Sequence, residues 1–249
     1  VVGTRRATVY GKEVTRRLVA DLVRHGLTVV SGLARGIDTV AHRAAVESRG
    51  RTIAVLACGL DIIYPPENEP LARRMVESGA LVSEHPLGTR PRAEFFPRRN
   101  RIMSGLSLGT LVIEADQRSG ALITARLALE QDREVFAVPG SILSPASRGT
   151  NLLIREGAKP VLEAGDVLEE LNLSALPHAQ PGAAPPAEAT DIELKILEQL
   201  EEGPRLIDEI SRATALPVST VSGALTMLEL KGMVIQLGTY YAATGANTN

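Results

Sequence analysis

Residues 27–48 read LTVVSGLARGIDTVAHRAAVES, in which an apolar run of strand length enters a glycine-rich turn and continues into an amphipathic helix. The pattern predicts a strand over residues 27–31 and a helix over residues 37–48. Units of this kind build doubly wound parallel sheets, in which the turn after each strand lies at its carboxyl end. The segment therefore predicts both a fold class and the edge of the sheet where a ligand would bind.

The same alternation of strand and helix extends along the chain on both sides of this unit. Further helices are predicted over residues 10–25, 69–77, 100–106 and 121–131, and further strands over residues 52–57, 81–84, 110–114 and 134–138. Together they predict an α/β fold with a Rossmann-like, doubly wound, mostly parallel sheet. The first strand has only Val1 and Val2 before the turn at Gly3, so we expect material upstream of this sequence.

A change of pattern near residue 174 predicts a second domain. Residues 174–190, SALPHAQPGAAPPAEAT, carry four prolines and no periodic apolar stripe, which indicates a linker between a domain of residues 1–173 and one of residues 191–243. The second domain has predicted helices over residues 191–201, 206–214 and 218–231, followed by a hairpin of residues 234–237 and 240–242. Three helices and a hairpin in this order are typical of a winged-helix domain.

The composition is that of a folded protein and excludes several classes. The 249 residues are 44% hydrophobic and include one cysteine, Cys58, which we expect to be a packed thiol. A single cysteine excludes an intramolecular disulfide and a multi-cysteine metal site, and no other metal-binding cluster is evident. No apolar run approaches the roughly 18–20 residues that span a bilayer, and no signal peptide is recognised, so we expect a cytoplasmic protein without a membrane segment.

Charge is unevenly distributed along the chain. From Glu188 onward there are nine acidic and four basic residues, a net charge of −5, whereas the preceding part has 23 basic and 20 acidic residues, a net charge of +3. Residues 90–101 contain five arginines and one glutamate. Arginine forms bidentate contacts with phosphate, so this cluster predicts an anion-binding surface in the first domain.

Several loops are predicted to meet at the carboxyl edge of the sheet. They are Gly3-Thr4-Arg5-Arg6, the glycine-rich residues 31–38, the aromatic and arginine-rich FFPRRNR of residues 95–101, and Ser119-Gly120. In the second loop, glycines would let backbone amides approach a phosphate at a helix N-terminus. The third combines positive charge with aromatic rings, the two features that bind the phosphates and bases of a single strand.

Each feature also has a simpler structural explanation. Glycine-rich turns occur in most proteins of this class, and Gly32 and Gly36 do not fit the spacing of a dinucleotide site. Without a phosphate-binding lysine motif either, the sequence disfavours a nicotinamide or nucleoside triphosphate cofactor. Asp38 and His42 lie four residues apart and would form either a carboxylate–imidazole pair or, as we favour, local hydrogen bonds that fix the start of the helix. No catalytic residues are predicted.

Six segments taken together resemble a known family. They are GTRRATVYG (residues 3–11), SGLARGIDTVAHRAA (31–45), GLDIIYPPEN (59–68), FFPRRNRIMSGLS (95–107), EADQRSGALITARLA (114–128) and VFAVPGSI (135–142). In this order they resemble the DprA/Smf family, the DNA-processing proteins of bacterial transformation. The resemblance extends over residues 1–172.

The resemblance implies a non-enzymatic DNA-binding protein that protects single-stranded DNA and loads RecA recombinase onto it, in natural transformation and competence or in recombinational repair. The implied partners are single-stranded DNA, RecA and a second copy of the chain in a homodimer, with single-strand-binding protein as a further candidate. Where the family often has a lysine three residues before the aromatic Phe96, this chain has Ala93, and we expect Arg92 or Arg98 to supply the charge.

The candidate DNA-binding residues combine the loops with the resemblance, which specifically implies Arg5, Ser31, Gly32 and Phe96. The full set is Gly3, Thr4, Arg5, Ser31, Gly32, Arg35, Gly36, Arg92, Phe96, Arg98, Arg99, Asn100, Arg101, Ser119 and Gly120. The position of the family's dimer and RecA surfaces suggests a further set, Leu153, Ile154, Lys159, Pro160 and Val161.

Two questions stay open at this level. The predicted third helix of the winged-helix domain carries only Lys231 against Glu229, which favours a protein-interaction role over duplex binding. The alternative function is a nucleotide phosphoribohydrolase-like enzyme of related fold. Those enzymes carry a P-G-G-x-G-T-x-x-E motif, whereas this chain has only Pro139-Gly140-Ser141 and Gly149-Thr150-Asn151, without the glutamate.

Overall fold

The computed structural model describes residues 1–173, 190–200, 203–231, 233–237 and 239–243. It divides into two compact units, Val1–Pro181 and Gly182–Asn249. Apart from Thr190, the predicted linker lies outside the described residues. In the part of the chain that is described, no helix is both long enough and apolar enough to cross a membrane.

Up to residue 138 the first unit alternates helices and strands as predicted, and two helices that were not predicted follow. Its helices are α1 (Val9–Arg24), α2 (Ile37–Glu47), α3 (Glu69–Met75), α4 (Phe95–Gly105), α5 (Gly120–Glu130), α6 (Arg148–Arg155) and α7 (Ala164–Glu170). Its strands are β1 (Val29–Ser31), β2 (Thr52–Val55), β3 (Ala80–Val82), β4 (Gly109–Val112), β5 (Glu134–Ala137) and β6 (Lys159–Pro160). Short 3-10 helices, Pro66–Asn68 and Pro145–Ser147, precede α3 and α6.

The strands form two parallel sheets, β1-β2-β3 and β4-β5-β6, and the first two residues connect them. Val2 pairs in parallel with Val112, and its amide donates to the carbonyl of Leu111 at 2.9 Å. On the other side, the Val1 nitrogen donates to the carbonyl of Val30 at 2.8 Å. The combined order is β3-β2-β1, residues 1–2, then β4-β5-β6. This confirms the doubly wound fold, and the order reverses at the segment that runs into Gly3.

Helices cover both faces of this sheet. Neighbouring residues of β4 illustrate the two layers, since successive side chains of a strand point to opposite faces. Leu111 packs in a cluster with Leu18 and Leu22 of α1, whereas Val112 packs in another with Ala121 and Ala125 of α5. With both faces covered by helices, ligands reach the sheet at its strand ends.

Helix α4 begins at Phe95, five residues before the predicted start at residue 100. The prediction of a loop over residues 95–101 was therefore wrong. Proline disfavours the interior of a helix, but Pro97 lies in the first turn, where backbone N–H groups have no intrahelical acceptor and proline is tolerated. The arginines and aromatic rings of this segment are consequently distributed around a helix rather than along a loop.

The second unit is a winged helix, as predicted. It contains α8 (Asp191–Leu200), β7 (Arg205–Leu206), α9 (Ile207–Thr214), α10 (Val218–Leu230), β8 (Val234–Leu237) and β9 (Tyr240–Ala243), with sheet order β7-β9-β8. The two-residue strand β7 was not predicted, because so short a segment has no detectable periodicity. The core of this unit includes Ile196, Ile210 and Leu225, one from each helix.

Candidate nucleic-acid interface

A crevice of about 680 Å³ opens in the first unit where the strand order reverses. Its walls come from the loop after Val2, the first turns of α4 and the start of α5. Ligands of open α/β sheets bind at this position, because the loops on the two sides of the reversal leave space between them. The topology therefore brings together residues of all four predicted segments, the second through Ala34 and Asp38.

The mouth of the crevice combines arginines with aromatic rings. The Arg5 guanidinium carbon lies 5.2 Å from the centroid of the Phe96 ring, and Tyr64 meets the same ring edge-on at 5.7 Å. Arg6 and Arg92 also line the crevice. Within the described residues, no salt bridge involves any of these three exposed arginines. Their charges are available to an anion.

A second aromatic contact lies beside the first. The Phe95 ring stacks against His85 with centroids 4.3 Å apart, and Arg92 lies 5.8 Å from the Phe95 centroid. Phe95 and Phe96 therefore hold different partners although they are adjacent at the start of α4. Phe96 lines the crevice, whereas Phe95 lies outside the crevice lining and packs against His85.

Arg99 forms part of the inner wall and has a different environment from the arginines at the mouth. It is 3% exposed, and its Nη1 donates to the carbonyl of Gly32 at 2.8 Å and to the carbonyl of Val55. Burial lowers the pKa of Arg99 to about 10, so it stays cationic at neutral pH. A Cβ at residue 32 would lie 2.3 Å from Nη2, which explains the glycine.

The glycine-rich loop between β1 and α2 uses its amides internally. The amides of Gly32 and Ala34 donate to Asp38 Oδ2 at 3.2 and 3.4 Å, and the Leu33 amide donates to His42 Nε2 at 3.3 Å. These N–H groups therefore cannot cradle a phosphate as predicted. Asp38 and His42 form local hydrogen bonds that fix the loop, the alternative that the sequence favoured.

His42 is held in its neutral form by this arrangement. Its Nε2 accepts from the Leu33 amide, while Nδ1 lies 2.7 Å from the Thr52 hydroxyl, which itself donates to the Val29 carbonyl. Burial lowers the pKa of His42 to about 3. Burial also raises the pKa of Asp38, against the opposing effects of Arg99 and the two amides.

Gly36 fixes the glycine-rich loop against the loop that follows Val2. Its φ is +77°, which favours glycine, and a Cβ there would lie 2.2 Å from the carbonyl oxygen of Thr4. The Ile37 amide donates to the same oxygen at 3.2 Å. The backbone of the loop that carries Arg5 is therefore fixed by its contacts with Gly36 and Ile37.

Glu114 holds the same loop from the other side. Its carboxylate accepts from the Thr8 amide at 3.0 Å and from the Thr8 hydroxyl at 2.5 Å, and its carbonyl accepts from the Thr4 amide at 2.8 Å. Thr8 is the N-cap of α1 and accepts from the Gly11 amide. No local pattern in the sequence indicated this role for Glu114, because its contact with Thr8 lies 106 residues away in the chain.

Nine of the fifteen predicted DNA-binding residues line the crevice: Gly3, Thr4, Arg5, Arg92, Phe96, Arg99, Asn100, Ser119 and Gly120. Ser119 is also the N-cap of α5 and accepts from the Ala121 amide at 3.3 Å. Arg6 and Asp38 also line the crevice; they lie in predicted loops but were not among the fifteen, and Tyr64 was not in any predicted loop. Tyr64 had a signal, since it lies in the family segment of residues 59–68.

The other six lie outside the crevice lining: Ser31, Gly32, Arg35, Gly36, Arg98 and Arg101. Ser31 is fully buried and its hydroxyl donates to the Val1 carbonyl. Arg35 pairs with Glu67 at 2.5 Å, and Arg101 pairs with Glu84. Because α4 starts at Phe95, Arg98 and Arg101 lie on a different side of the helix from Phe96 and Asn100.

The predicted dimer or RecA residues do not form one uniform surface. Leu153 and Ile154 are partly buried on α6, Pro160 is exposed, and Lys159 pairs with Glu170 at 2.7 Å. Val161 is only 1% exposed and packs in the core of the unit, so its side chain is not on a surface. Its inclusion is corrected, because the side chain after β6 points inward.

The stretch nearest to a phosphoribohydrolase motif is also outside the crevice. The amide of Gly140 donates to Asn151 Oδ1 at 3.2 Å, and Asn151 Nδ2 donates to the Gly140 carbonyl at 3.0 Å. The segments of residues 139–141 and 149–151 are therefore hydrogen-bonded to each other, and neither of them lines the crevice.

In the winged helix, the one cation of the predicted third helix is already paired. Lys231 Nζ donates to both carboxylate oxygens of Glu193, at 2.8 and 2.7 Å. Glu193 is 3% exposed and also accepts from the Thr190 amide. Lys231 is therefore not presented to a phosphate.

Comparisons with known proteins agree with this architecture. The family model of the DNA recombination-mediator protein A matches residues 1–172, and that of the DprA winged helix domain matches residues 180–238. The DNA processing protein DprA of Bacillus subtilis is 49% identical over 181 residues, which cover 73% of this chain and 61% of that protein. Protein Smf of Escherichia coli is 45% identical over 240 residues, 94% of this chain and 64% of that protein.

Solved structures are similar as well. The X-ray structure of DNA processing protein A from Streptococcus pneumoniae matches with a TM-score of 0.64 and 44% identity over 68% of this chain and 59% of that one. A structure of the Helicobacter pylori protein, described for its single-stranded DNA binding mode, matches with a TM-score of 0.63 and 32% identity over 69% and 78% of the two chains. The chain spans about three fifths of the length of the curated relatives above. The fold, the winged helix and the match over residues 1–172 together show that this chain belongs to the DNA recombination-mediator protein A family.

Proposed function

We propose that the crevice of the first unit binds single-stranded DNA, and that the chain acts as a DNA-processing and recombination-mediator protein. The observation that carries the proposal is the Arg5 guanidinium 5.2 Å from the Phe96 ring at the mouth of the crevice. Positive charge beside an aromatic face is the combination that binds a phosphate and its neighbouring base.

Electrostatics at the mouth support binding of a polyanion. Arg5, Arg6 and Arg92 are exposed and have no carboxylate partner among the described residues. Neutralising phosphates with such side chains releases counterions from the nucleic acid, which favours binding at low salt. Arginines that already have a carboxylate partner, such as Arg35 and Arg101, contribute less because the partner must first be displaced.

The ring at the mouth favours a single strand over a duplex. A base in a duplex is stacked on both faces, whereas an unpaired base can leave the stack and lie on an aromatic ring. Phe96 and Tyr64 both line the crevice, where the Phe96 ring lies beside Arg5 and meets Tyr64 edge-on. The H. pylori relative, described for single-stranded DNA binding, is consistent with this preference.

The polar groups deeper in the crevice support a binding role rather than catalysis. Asp38 and Arg99 line the crevice, and both of them, like the buried His42, hold loop backbone through hydrogen bonds. A general base or acid must instead reach a proton of the substrate. We propose that the chain is not an enzyme.

Our proposal also includes the cellular role of the chain and its protein partners. The chain protects single-stranded DNA and loads RecA onto it in transformation or recombinational repair, which is a cytoplasmic role. It acts as a homodimer, with single-strand-binding protein as a further candidate partner. Leu153, Ile154, Lys159 and Pro160 are the residues proposed to contact a second copy or RecA, since these positions reach or approach the surface around β6.

The test is fluorescence anisotropy of the full chain with a labelled poly-dT strand and a matched duplex at several salt concentrations. We expect tight binding to the single strand and weak binding to the duplex. Arg5→Ala should reduce single-strand affinity by more than about tenfold and reduce the salt slope by about 1. Arg17→Ala, which removes an exposed arginine of α1 outside the crevice lining, is the control and should change affinity little.

Unchanged affinity in Arg5→Ala would overturn the assignment of the site. Equal or stronger binding of the wild-type chain to duplex would overturn the preference for a single strand.

A further inference from the structure

An exposed ion pair beside the crevice holds one of the predicted DNA-binding arginines. Arg35, in the loop between β1 and α2, donates to both carboxylate oxygens of Glu67, from Nε to Oε1 at 2.5 Å and from Nη2 to Oε2 at 3.2 Å. Glu67 belongs to the 3-10 helix that precedes α3. Their hydrogen bond raises the pKa of Arg35 and lowers the pKa of Glu67, so both groups are charged at neutral pH.

The neighbours of this pair line the crevice. Ala34, which precedes Arg35 in the chain, is a lining residue, and so is Tyr64, whose electrostatic interaction with Arg35 contributes to the raised pKa of the arginine. On the other side of Arg35, Gly36 packs on the loop that follows Val2, where its Cβ would lie 2.8 Å from Cα of Arg5. Arg35 is therefore carried beside Arg5 at the rim of the crevice.

A phosphate has the chemistry to replace the carboxylate of Glu67. The side chains of Arg35 and Glu67 are 58% and 52% exposed, and an ion pair between exposed groups is screened by water and salt and stabilises the folded chain little. The guanidinium fork binds phosphate in the same bidentate manner as carboxylate. Neutralising a phosphate also releases counterions from the strand, a gain that the pair with Glu67 does not provide.

We propose that Glu67 competes with single-stranded DNA for Arg35 and thereby limits the affinity of the site. In the free chain the guanidinium is paired with the carboxylate, and in the complex it contacts a phosphate close to the one at Arg5. The displaced carboxylate then lies near the strand and repels it. This inference rests on the proposed binding of single-stranded DNA and identifies a residue that restrains it.

The test is a double-mutant cycle at Arg35 and Glu67, with the affinity of the full chain for labelled poly-dT measured by fluorescence anisotropy at low salt. Glu67→Gln keeps the size of the side chain and leaves Arg35 unpaired before binding, so affinity should rise about fivefold. In an Arg35→Gln background the same substitution removes only the repulsion, and the gain should be less than about twofold. A gain in affinity cannot arise from loss of folding.

Glu69→Gln is the matched control. Glu69 pairs with Arg73 at 2.7 Å on α3, both side chains are exposed, and neither lines the crevice. The control therefore changes the net charge by the same amount and also releases an arginine from an exposed pair. It should change affinity by less than about 1.5-fold, because charges that act only through solvent are screened.

Failure of this inference and failure of the proposed function give different results. If wild type binds poly-dT but Glu67→Gln does not bind it more tightly, the competition is overturned while DNA binding stands. The same conclusion follows if the gain is equally large in the Arg35→Gln background or in Glu69→Gln, since it would then come from net charge alone. If neither wild type nor any variant binds poly-dT, the proposed function itself is overturned.

Discussion

The crevice of the first unit and helix α10 of the second unit are both surfaces where proteins of their fold bind ligands, yet they use their cations differently. The crevice presents Arg5, Arg6 and Arg92 without carboxylate partners, whereas Lys231, which caps α10, is paired with Glu193. The local arrangement of charge therefore separates a surface that attracts phosphate from one that does not.

A similar difference exists within the crevice itself. Arg99 belongs to the same sequence cluster, residues 90–101, as Arg92, but it is buried and its guanidinium donates to backbone carbonyls. A count of positive residues treats Arg92, Arg99 and Lys231 alike. These residues differ in whether their N–H donors already form hydrogen bonds with acceptors inside the protein. Arg99 and Lys231 do so, and Arg92 is free to contact phosphate.

The largest expected effect follows from removing Arg99. Arg99→Met would leave the carbonyls of Gly32 and Val55 without their donor and Asp38 without a nearby cation. We expect the first unit to lose about 3–5 kcal/mol of stability, as is typical when one partner of a buried charged network is removed. Hydrogen–deuterium exchange of peptides from each unit, measured in the full chain with increasing denaturant, locates the loss.

Arg98→Met is the matched control, because Arg98 is the exposed neighbour on the same helix. It should change stability by less than about 0.5 kcal/mol. If Arg99→Met were as stable as Arg98→Met and lost only DNA affinity, Arg99 would belong with the mouth arginines and the distinction drawn above would fail.

Acid should destabilise the first unit through His42. Its pKa is about 3 in the folded chain against an ordinary value of 6.5, so the unfolded chain binds a proton that the folded chain does not. The stabilising contribution of neutral His42 is fully present at pH values above its ordinary pKa of 6.5. It is lost as the pH falls toward the pKa of about 3 in the folded chain. From about pH 7.5 to about pH 5 the loss should be about 2 kcal/mol, measured by denaturant unfolding followed by exchange in each unit.

Asp38 has the opposite sign, since its raised pKa means that the folded chain takes up a proton first as pH falls. The variant His42→Gln should flatten the pH dependence between about pH 7.5 and about pH 5, where the histidine dominates. The sequence from residue 190 onward contains no histidine, so the second unit lacks this source of acid sensitivity. An unchanged slope in His42→Gln would refute the assignment.

Sequence patterns predicted the fold well because they depend on local periodicity. The strand, turn and helix of residues 27–48 appear as β1 and α2 with ends shifted by at most two residues. The start of α4 was missed because Pro97 looks like a breaker, although the first turn of a helix tolerates it. The order of the strands reverses at residues 1–2, which places the crevice where the pattern predicted it.

The candidate site was only partly predictable, because a sequence does not show which donors are already satisfied. The glycines at residues 32 and 36 were read as room for a phosphate, but they accommodate Arg99 and the Thr4 carbonyl. Both contacts join segments distant in the chain, so neither produces a local signal. Conversely, the family resemblance implied Arg5 and Phe96, and the structure adds their 5.2 Å separation.

The smallest expected effect concerns the second unit and tests the comparison from its other side. Lys231→Met would leave the Glu193 carboxylate, 3% exposed, with only the Thr190 amide and hydroxyl as donors. We expect a loss of about 1.5 kcal/mol in the exchange-derived stability of the second unit, because a buried acceptor loses part of its hydrogen bonding. Affinity for single-stranded DNA should change by less than about 1.5-fold, since Lys231 is not presented to phosphate.

Lys195→Met, at an exposed position of α8, should alter neither the stability of the second unit nor the affinity for DNA, and serves as the control. A loss of DNA affinity in Lys231→Met with unchanged exchange would mean that this lysine leaves Glu193 to bind DNA, and the winged helix would then have to be counted as a second DNA-binding surface.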